Sequence, residues 1–308
     1  TYRTAIVGCG RIASLFAADK KRKGIVTHAQ AYQAHPKTRL VAACDINSER
    51  LKDFSDRWSV SALYTNFNEM VEKEKPDLLS VCALNSAHAE MVKYAVKLGV
   101  KGIICEKPIS DSLKSAKEMI AVCRNKKVPL LINYSRRYNP LHRKLQDWIK
   151  KGNLGQIQTV SCYYTAGIMN TVTHLFDILR FFFGDADWVW TNPEKVLPGK
   201  VGDPTADIYI YFKKGFGCTV SALEVNDYMQ FEIDIYGTKG RVRIEDSGMS
   251  ARTWKVVNHR VYSGYKTLQE DRVYHSNFGK NLYFLVDSLV RLVEKKTAPV
   301  CSGDDGLK

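Results

Sequence analysis

The sequence contains no apolar run long enough to cross a bilayer, no Cys-x-x-Cys pair, no internal repeat and no low-complexity tract. The first absence argues against a membrane span. The second leaves eight cysteines (Cys9, Cys44, Cys82, Cys105, Cys123, Cys162, Cys218 and Cys301) scattered mostly among apolar neighbours. That is the pattern of reduced core thiols, so no metal site is expected. Absence of a repeat period excludes solenoids and propellers. Residues Thr1–Gly10 lack the basic, apolar and small-residue regions of a secretory leader and pass directly into an apolar strand. A cytoplasmic chain is the expectation.

What is present is ordinary globular material, with 45% hydrophobic and 25% charged residues in a chain of 308. That length suits one large or two medium domains. The net charge of +14 raises the question of nucleic acid, but the basic residues are dispersed, and the densest cluster is the short run Lys20-Lys21-Arg22-Lys23 before Gly24. Dispersed charge of this kind solvates helix surfaces and attracts small anionic ligands, so no nucleic-acid partner is expected.

Over the first third, short β-branched runs alternate with amphipathic stretches. Thr4–Val7, Arg39–Cys44, Leu78–Cys82, Gly102–Cys105 and Pro129–Ile132 read as strands, and Asn66–Lys73, Ser86–Leu98 and Ser112–Asn125 as helices. Strands that are continuously apolar are buried on both faces, as in a parallel sheet. The reading is an α/β chain whose N-terminal domain, 1–125, is a Rossmann doubly wound parallel sheet. Beyond it, helices near Pro140–Lys151 and Thr173–Phe183 precede strands at Asp207–Phe212, Cys218–Leu223, Phe231–Tyr236 and Gly240–Glu245, paired around Gly-containing turns. Residues 126–308 therefore read as an α+β domain with a large, mostly antiparallel open-faced sheet.

Gly8-Cys9-Gly10-Arg11-Ile12-Ala13 follows the first strand as the G-x-G-x-x-A form of the dinucleotide fingerprint. Gly8 permits the turn, Gly10 admits a pyrophosphate to the backbone, Ala13 lets a helix pack on the strand, and the helix N-terminus presents N–H groups to phosphate. Asp45 ends the second strand, where a carboxylate accepts from an adenosine ribose. It lies 37 residues after Gly8, against the usual spacing of about 20, and the Lys20–Gly24 segment is expected to supply the excess. A carboxylate there repels a 2′-phosphate and favours NAD; Arg11 or Arg50 countering its charge keeps NADP open.

Further along stand Ala83-Leu84-Asn85-Ser86-Ala87-His88, Glu106-Lys107-Pro108 and Thr173-His174-Leu175-Phe176-Asp177. Together with Gly8–Ala13 and Asp45, in this order and over nearly the whole chain, they resemble the Gfo/Idh/MocA oxidoreductases. The resemblance implies that Lys107 sits beside the nicotinamide and the substrate hydroxyl, that Pro108 rigidifies the turn through a cis bond, and that His174 accepts the hydroxyl proton. It implies NAD(P)-dependent oxidation of a secondary alcohol, or reduction of the ketone, in a sugar, cyclitol or nucleotide sugar. It further implies a homodimer or homotetramer, and a chain that continues past Lys308 into another helix.

The candidate cofactor contacts are thus Gly8, Gly10, Arg11, Ile12, Ala13, Asp45, Asn85, His88, Glu106 and Lys107. Asn85 and His88 either line the nicotinamide side or cap the helix that follows. Candidate substrate contacts are Lys107, Arg136, Tyr164, Asn170, His174 and Asp177, with Lys107 and His174 as the catalytic pair. Asp177 orients the imidazole or caps its helix. Arg136 and Arg137 either clamp an anionic group or serve as caps and ion pairs. Tyr163 and Tyr164 point to opposite faces of one strand, so at most one meets a substrate. Many family members carry an acidic residue where Asn170 stands, so a strict Lys-Asp-His triad is absent. A non-catalytic dinucleotide-binding sensor is the alternative.

Overall fold

The computed structural model describes residues 1–200, 203–276 and 278–308, with the backbone course alone for 193–200. The chain folds as two compact units, Thr1–Tyr138 with Phe278–Lys308, and Asn139–Asn277.

The first unit holds six parallel strands: β1 (Tyr2–Val7), β2 (Thr38–Cys44), β3 (Ala62–Tyr64), β4 (Leu78–Val81), β5 (Gly102–Cys105) and β6 (Leu130–Ile132), in the order β3-β2-β1-β4-β5-β6. This is the doubly wound order in which the reversal between β1 and β4 opens a ligand crevice at the carboxyl ends of the strands. Every residue of β4 and β5 is buried, as two-sided coverage by helices requires. The covering helices include α1 (His28–Ala34), α2 (Ser48–Trp58), α3 (Phe67–Glu74), α4 (Asn85–Lys97) and α5 (Leu113–Asn125). Helix α2 begins at the Asn47 cap, whose side chain accepts the Arg50 N–H, and α3 begins in the same way at Asn66.

The division at 125/126 is shifted by the structure. Residues 126–138 contain β6, which pairs with β5 (Ile103↔Leu130), so they belong to the parallel sheet. The chain also returns to this unit near its end. Of the two helices there, α8 (Asn281–Val293) and α9 (Gly303–Leu307) in chain order after the second unit's α6 (Pro140–Lys150) and α7 (Thr173–Phe183), α8 buries Leu285, Val286 and Leu289 completely in the first core. An amphipathic stretch shows in the sequence that it has an apolar face, not which core the face covers.

The first crossover is long, and the basic segment lies within it. After the glycine turn the chain makes a short 3₁₀ stretch, Leu15–Ala18, then loops out, and α1 starts at His28 under a capping box formed by Thr27 and Gln30. The N–H groups of His28 and Ala29 bond the carbonyls of Ile12 and Ala13, both at 3.1 Å. Residues 14–27 are therefore an excursion from an interrupted helix that resumes at His28. This accounts for the long Gly8–Asp45 spacing, and the basic run Lys20–Lys23 is exposed within it.

The second unit is built on an eight-stranded sheet. Its strands are β7 (Ile157–Tyr164), β8 (Ala186–Lys200), β9 (Asp203–Phe212), β10 (Phe216–Ala222), β11 (Phe231–Gly237), β12 (Gly240–Glu245), β13 (Ser250–Asn258) and β14 (Lys266–His275), in the order β14-β13-β12-β11-β7-β10-β9-β8. Neighbours run antiparallel except β7 and β10, which are parallel. Burial alternates along β10, β11 and β12, the signature of one packed and one open face. Helix α7 covers the packed face: Phe183 meets Phe212 and Phe216 edge-on, with ring centroids 5.6 and 5.1 Å apart, a preferred aromatic geometry.

Candidate active site

At the end of β1, Gly8 has φ +86°, and a Cβ there would lie 2.6 Å from the Cys82 backbone at the end of β4. Glycine is thus required on two counts, handedness and contact. A Cβ at Gly10 meets nothing within 4 Å, so the backbone is open on that side to an approaching group. Arg11 is exposed, Ile12 half-buried and Ala13 fully buried.

Asp45 directly follows β2 and ties the turn down. Its Oδ2 accepts the Cys9 N–H at 2.7 Å and its Oδ1 the Asn47 N–H at 2.9 Å. Each carboxylate oxygen keeps a second lone pair for a hydroxyl donor. Arg50 Nη1 stands 3.9 Å from Oδ2. An open Gly10, a constrained Gly8 and an acceptor at the tip of β2 are the features a bound dinucleotide requires, so these residues fit the group.

Glu106 and Lys107 follow β5, and the Lys107–Pro108 bond is cis. The Glu106 carboxylate turns inward. Its Oε1 receives Asn133 Nδ2 at 2.5 Å and lies 2.8 Å from His28 Nε2. Burial acts to raise its pKa, but the hydrogen bonds of His28 and Asn133 and the Lys107 charge outweigh it and hold the carboxyl below its ordinary value. The donor atoms of His28, Cys82 and Glu106 all lie within 4.8 Å of one another. His28 is the residue that sequence reasoning missed. Its signal was present in Thr27-His28-Ala29-Gln30, a capping box that starts a helix, with Tyr32 four residues on along the same face.

Two candidates occupy other places than expected. His88 is buried, with Nε2 3.0 Å from the Ala83 carbonyl and Nδ1 3.2 and 3.3 Å from those of Pro108 and Ile109. It ties the loop after β4 to the Glu-Lys-Pro turn and exposes no edge to a cofactor. Tyr164 has no exposed surface, and its hydroxyl both donates to the Ala206 carbonyl and accepts the Ala206 N–H, each at 2.8 Å. The alternation along β7 puts Tyr164 in the core, whereas Tyr163 is 41% exposed on the opposite face. Asn85 is the first residue of α4 and is half-buried.

Of the tandem arginines, Arg137 is buried in an ion pair with Asp305 at 3.0 Å, and the Arg136 guanidinium lies 5.4 Å from the Phe278 ring centroid. In the second unit a π-helical turn, Ile168–Val172, leads into α7. Exposed Asn170 sits in that turn; its side chain donates back to the Ala166 carbonyl at 3.2 Å and its N–H donates to Asp203 at 2.9 Å. His174 is half-buried in the first turn of α7, and Asp177 is buried one turn later.

Comparison with known proteins decides among the chemistries this arrangement allows. The model of an oxidoreductase family with an NAD-binding Rossmann fold, Gfo/Idh/MocA, matches residues 2–134, and the model of that family's C-terminal domain matches residues 165–243. The chain belongs to the Gfo/Idh/MocA oxidoreductase family. Its Rossmann unit is the family's NAD-binding domain, and relatives of this Gfo/Idh/MocA chain are named as dehydrogenases. Myo-inositol 2-dehydrogenase of Thermotoga maritima is 26% identical over 263 residues, 78% of this chain and 74% of the relative. D-apiose dehydrogenase of Paraburkholderia graminis is 23% identical over 265 residues, 79% and 67% of the two chains. The WlbA dehydrogenase of Bordetella pertussis, solved in complex with NADH and UDP-GlcNAcA, shares the fold with a TM-score of 0.77 at 19% identity, covering 100% of this chain and 92% of its own. Among the described residues no helix is long and apolar enough to cross a membrane.

Proposed function

We propose that this chain is an NAD-dependent dehydrogenase that oxidises a secondary alcohol of a polyol, a sugar, cyclitol or nucleotide sugar, or runs the reverse reduction. The observation that carries the reading is the placement of Gly8, Gly10, Asp45 and Lys107 on loops at the carboxyl edge of one parallel sheet. When bound, NAD supplies the hydride acceptor. The Gly8–Ala13 turn holds the pyrophosphate through backbone N–H groups, and Asp45 accepts from the adenosine ribose, which disfavours a 2′-phosphate. Lys107 holds the substrate hydroxyl and stabilises the alkoxide charge that develops as the C–H bond breaks. His174 takes the hydroxyl proton, a task suited to an imidazole. The relatives named for inositol and apiose support the substrate class.

Association into a homodimer or homotetramer through the open sheet face belongs to the same reading. It is supported by exposed Trp188 and Trp190 on β8, Trp188 stacking on Tyr211 with centroids 5.4 Å apart. A cytoplasmic setting, in which the scattered cysteines stay reduced, completes it.

The test is a screen of cyclitols, aldoses and nucleotide sugars with NAD, following reduced nicotinamide. A substrate is expected whose kcat/KM falls about a hundred- to a thousandfold in Lys107→Ala. Turnover unchanged in that variant would remove Lys107 from the chemistry.

A further inference from the structure

The polar row behind Glu106 has no part in the steps above. His28 Nδ1 lies 3.0 Å from Ser80 Oγ, and Ser80 Oγ lies 2.7 Å from the Tyr32 hydroxyl. An ionised carboxylate has no proton to give, so His28 Nε2 carries the hydrogen and donates to Glu106. In the neutral ring Nδ1 is then an acceptor, the Ser80 hydroxyl donates to it, and the Tyr32 hydroxyl donates to Ser80. Every donor points one way, from Tyr32 toward Glu106, and such chains polarise one another cooperatively.

The far end of the row is closed. Tyr32 has no exposed surface, and burial pushes its phenol up, so it stays O–H. A row that ends in a buried phenol exchanges no protons with solvent, which makes it a brace and not a proton wire. The other groups facing the carboxylate are Cys82, Cys105 and Lys107; burial pushes both thiols well up, so Lys107 is the charge among them. Asn133 holds the same Oε1 from the other side, while its own Oδ1 is buried without a partner, so the carboxylate dictates the amide's orientation. The backbone of His28, meanwhile, bonds Ile12 in the glycine-rich segment. One residue thus links the dinucleotide turn to the turn bearing Lys107.

We propose that His28, backed by Ser80 and Tyr32, is a positioning residue that holds the Glu106 carboxylate in one orientation and so fixes the Glu106-Lys107-Pro108 turn that presents Lys107. The consequence for turnover rests on the reading of Lys107 as the hydroxyl-binding residue; the brace itself does not.

The experiment is a pH titration of carboxyl-¹³C glutamate in the full chain, with the Glu106 signal assigned by its loss in Glu106→Gln. In wild type Glu106 titrates below the ordinary glutamate range. In His28→Ala the midpoint rises by about one pH unit, the scale of a lost hydrogen bond to a charged group. His28→Gln, whose amide donates from nearly the same place, restores most of the difference, a rescue that a purely space-filling histidine would not show. Tyr32→Phe and Ser80→Ala raise the midpoint by less, and carry the test if His28→Ala does not fold. An identical Glu106 midpoint in wild type and His28→Ala overturns the proposal; should that variant not fold, midpoints unmoved in both Tyr32→Phe and Ser80→Ala overturn it equally. With a substrate in hand, His28→Ala lowers kcat at least about tenfold with KM little changed. Failure of wild type to bind NADH would instead sink the dehydrogenase reading, and the carboxyl titration distinguishes the two because it needs no cofactor.

Discussion

The carboxyl edge of the parallel sheet and the open face of the antiparallel sheet spend their polar residues in opposite ways. At the parallel edge Asp45, Glu106, His28 and His88 turn inward and bond backbone or one another, each with little or no exposure. On the antiparallel face Asp234 pairs with Arg241 and Glu232 with Arg243 in cross-strand ladders, and aromatic residues lie open. The first arrangement defines backbone positions to within a hydrogen bond, as catalysis demands. The second tunes a partly exposed surface, where solvent screens each pair and limits its contribution to stability. Both units nonetheless have their own apolar core, so damage to stability and damage to binding should separate.

The largest expected effect lies in the second core. Phe183→Ala removes a ring packed against Phe212 and Phe216 and should cost about 3–5 kcal/mol in urea unfolding; a loss below about 1 kcal/mol would mean that this cluster is loosely packed.

The glycine turn sharpens the contrast. Gly8→Ala meets both a left-handed φ, costing about 1–2 kcal/mol, and the Cys82 backbone, so it should lose stability and NADH binding together. Gly10→Ala faces open space and should melt like wild type while NADH affinity falls at least about tenfold, because the added methyl occupies the cradle. Equal behaviour of the two variants in calorimetry and fluorescence titration would contradict the assigned roles.

The smallest effect concerns Arg137. Burial acts to raise the Asp305 carboxyl, but the Arg137 charge and the Ser302 bonds hold it below its ordinary value. A depressed folded-state pKa stabilises the protein above the ordinary range and the contribution disappears as pH falls through it. Arg137→Met should therefore cost about 1 kcal/mol at neutral pH, discounted for the partial exposure of Asp305, with the difference shrinking below about pH 4. A difference that does not shrink as the pH falls below about 4 would point to packing alone.

Much of this was legible before the structure. Gly8, Gly10, Asp45 and the Glu106-Lys107-Pro108 turn carry backbone requirements that few residue types satisfy, so they show as local motifs. The apolar runs of β1, β2, β4, β5 and β6, and the glycine turns between β9 and β10 and between β11 and β12, marked the fold class. Strand β3 is three half-buried residues, Ala62–Tyr64, too short for any period to register. The membership of α8 in the first unit depends on a long-range contact that no window of sequence contains. The same holds for the site: His28 and Glu106 are 78 residues apart, and only the crossover that resumes the first helix brings them together. Tyr164 was a candidate by its strand and His88 by its motif, and their burial reflects which face of β7 and α4 the core takes.

The most direct test is a fluorescence titration with NADH and NADPH on wild type and Asp45→Ala. The account predicts that wild type prefers NADH and that the preference relaxes toward NADPH when the carboxylate is removed. No binding of either cofactor at millimolar concentration to the folded wild-type protein would contradict the assignment of the Gly8–Ala13 turn and Asp45 as a working dinucleotide site.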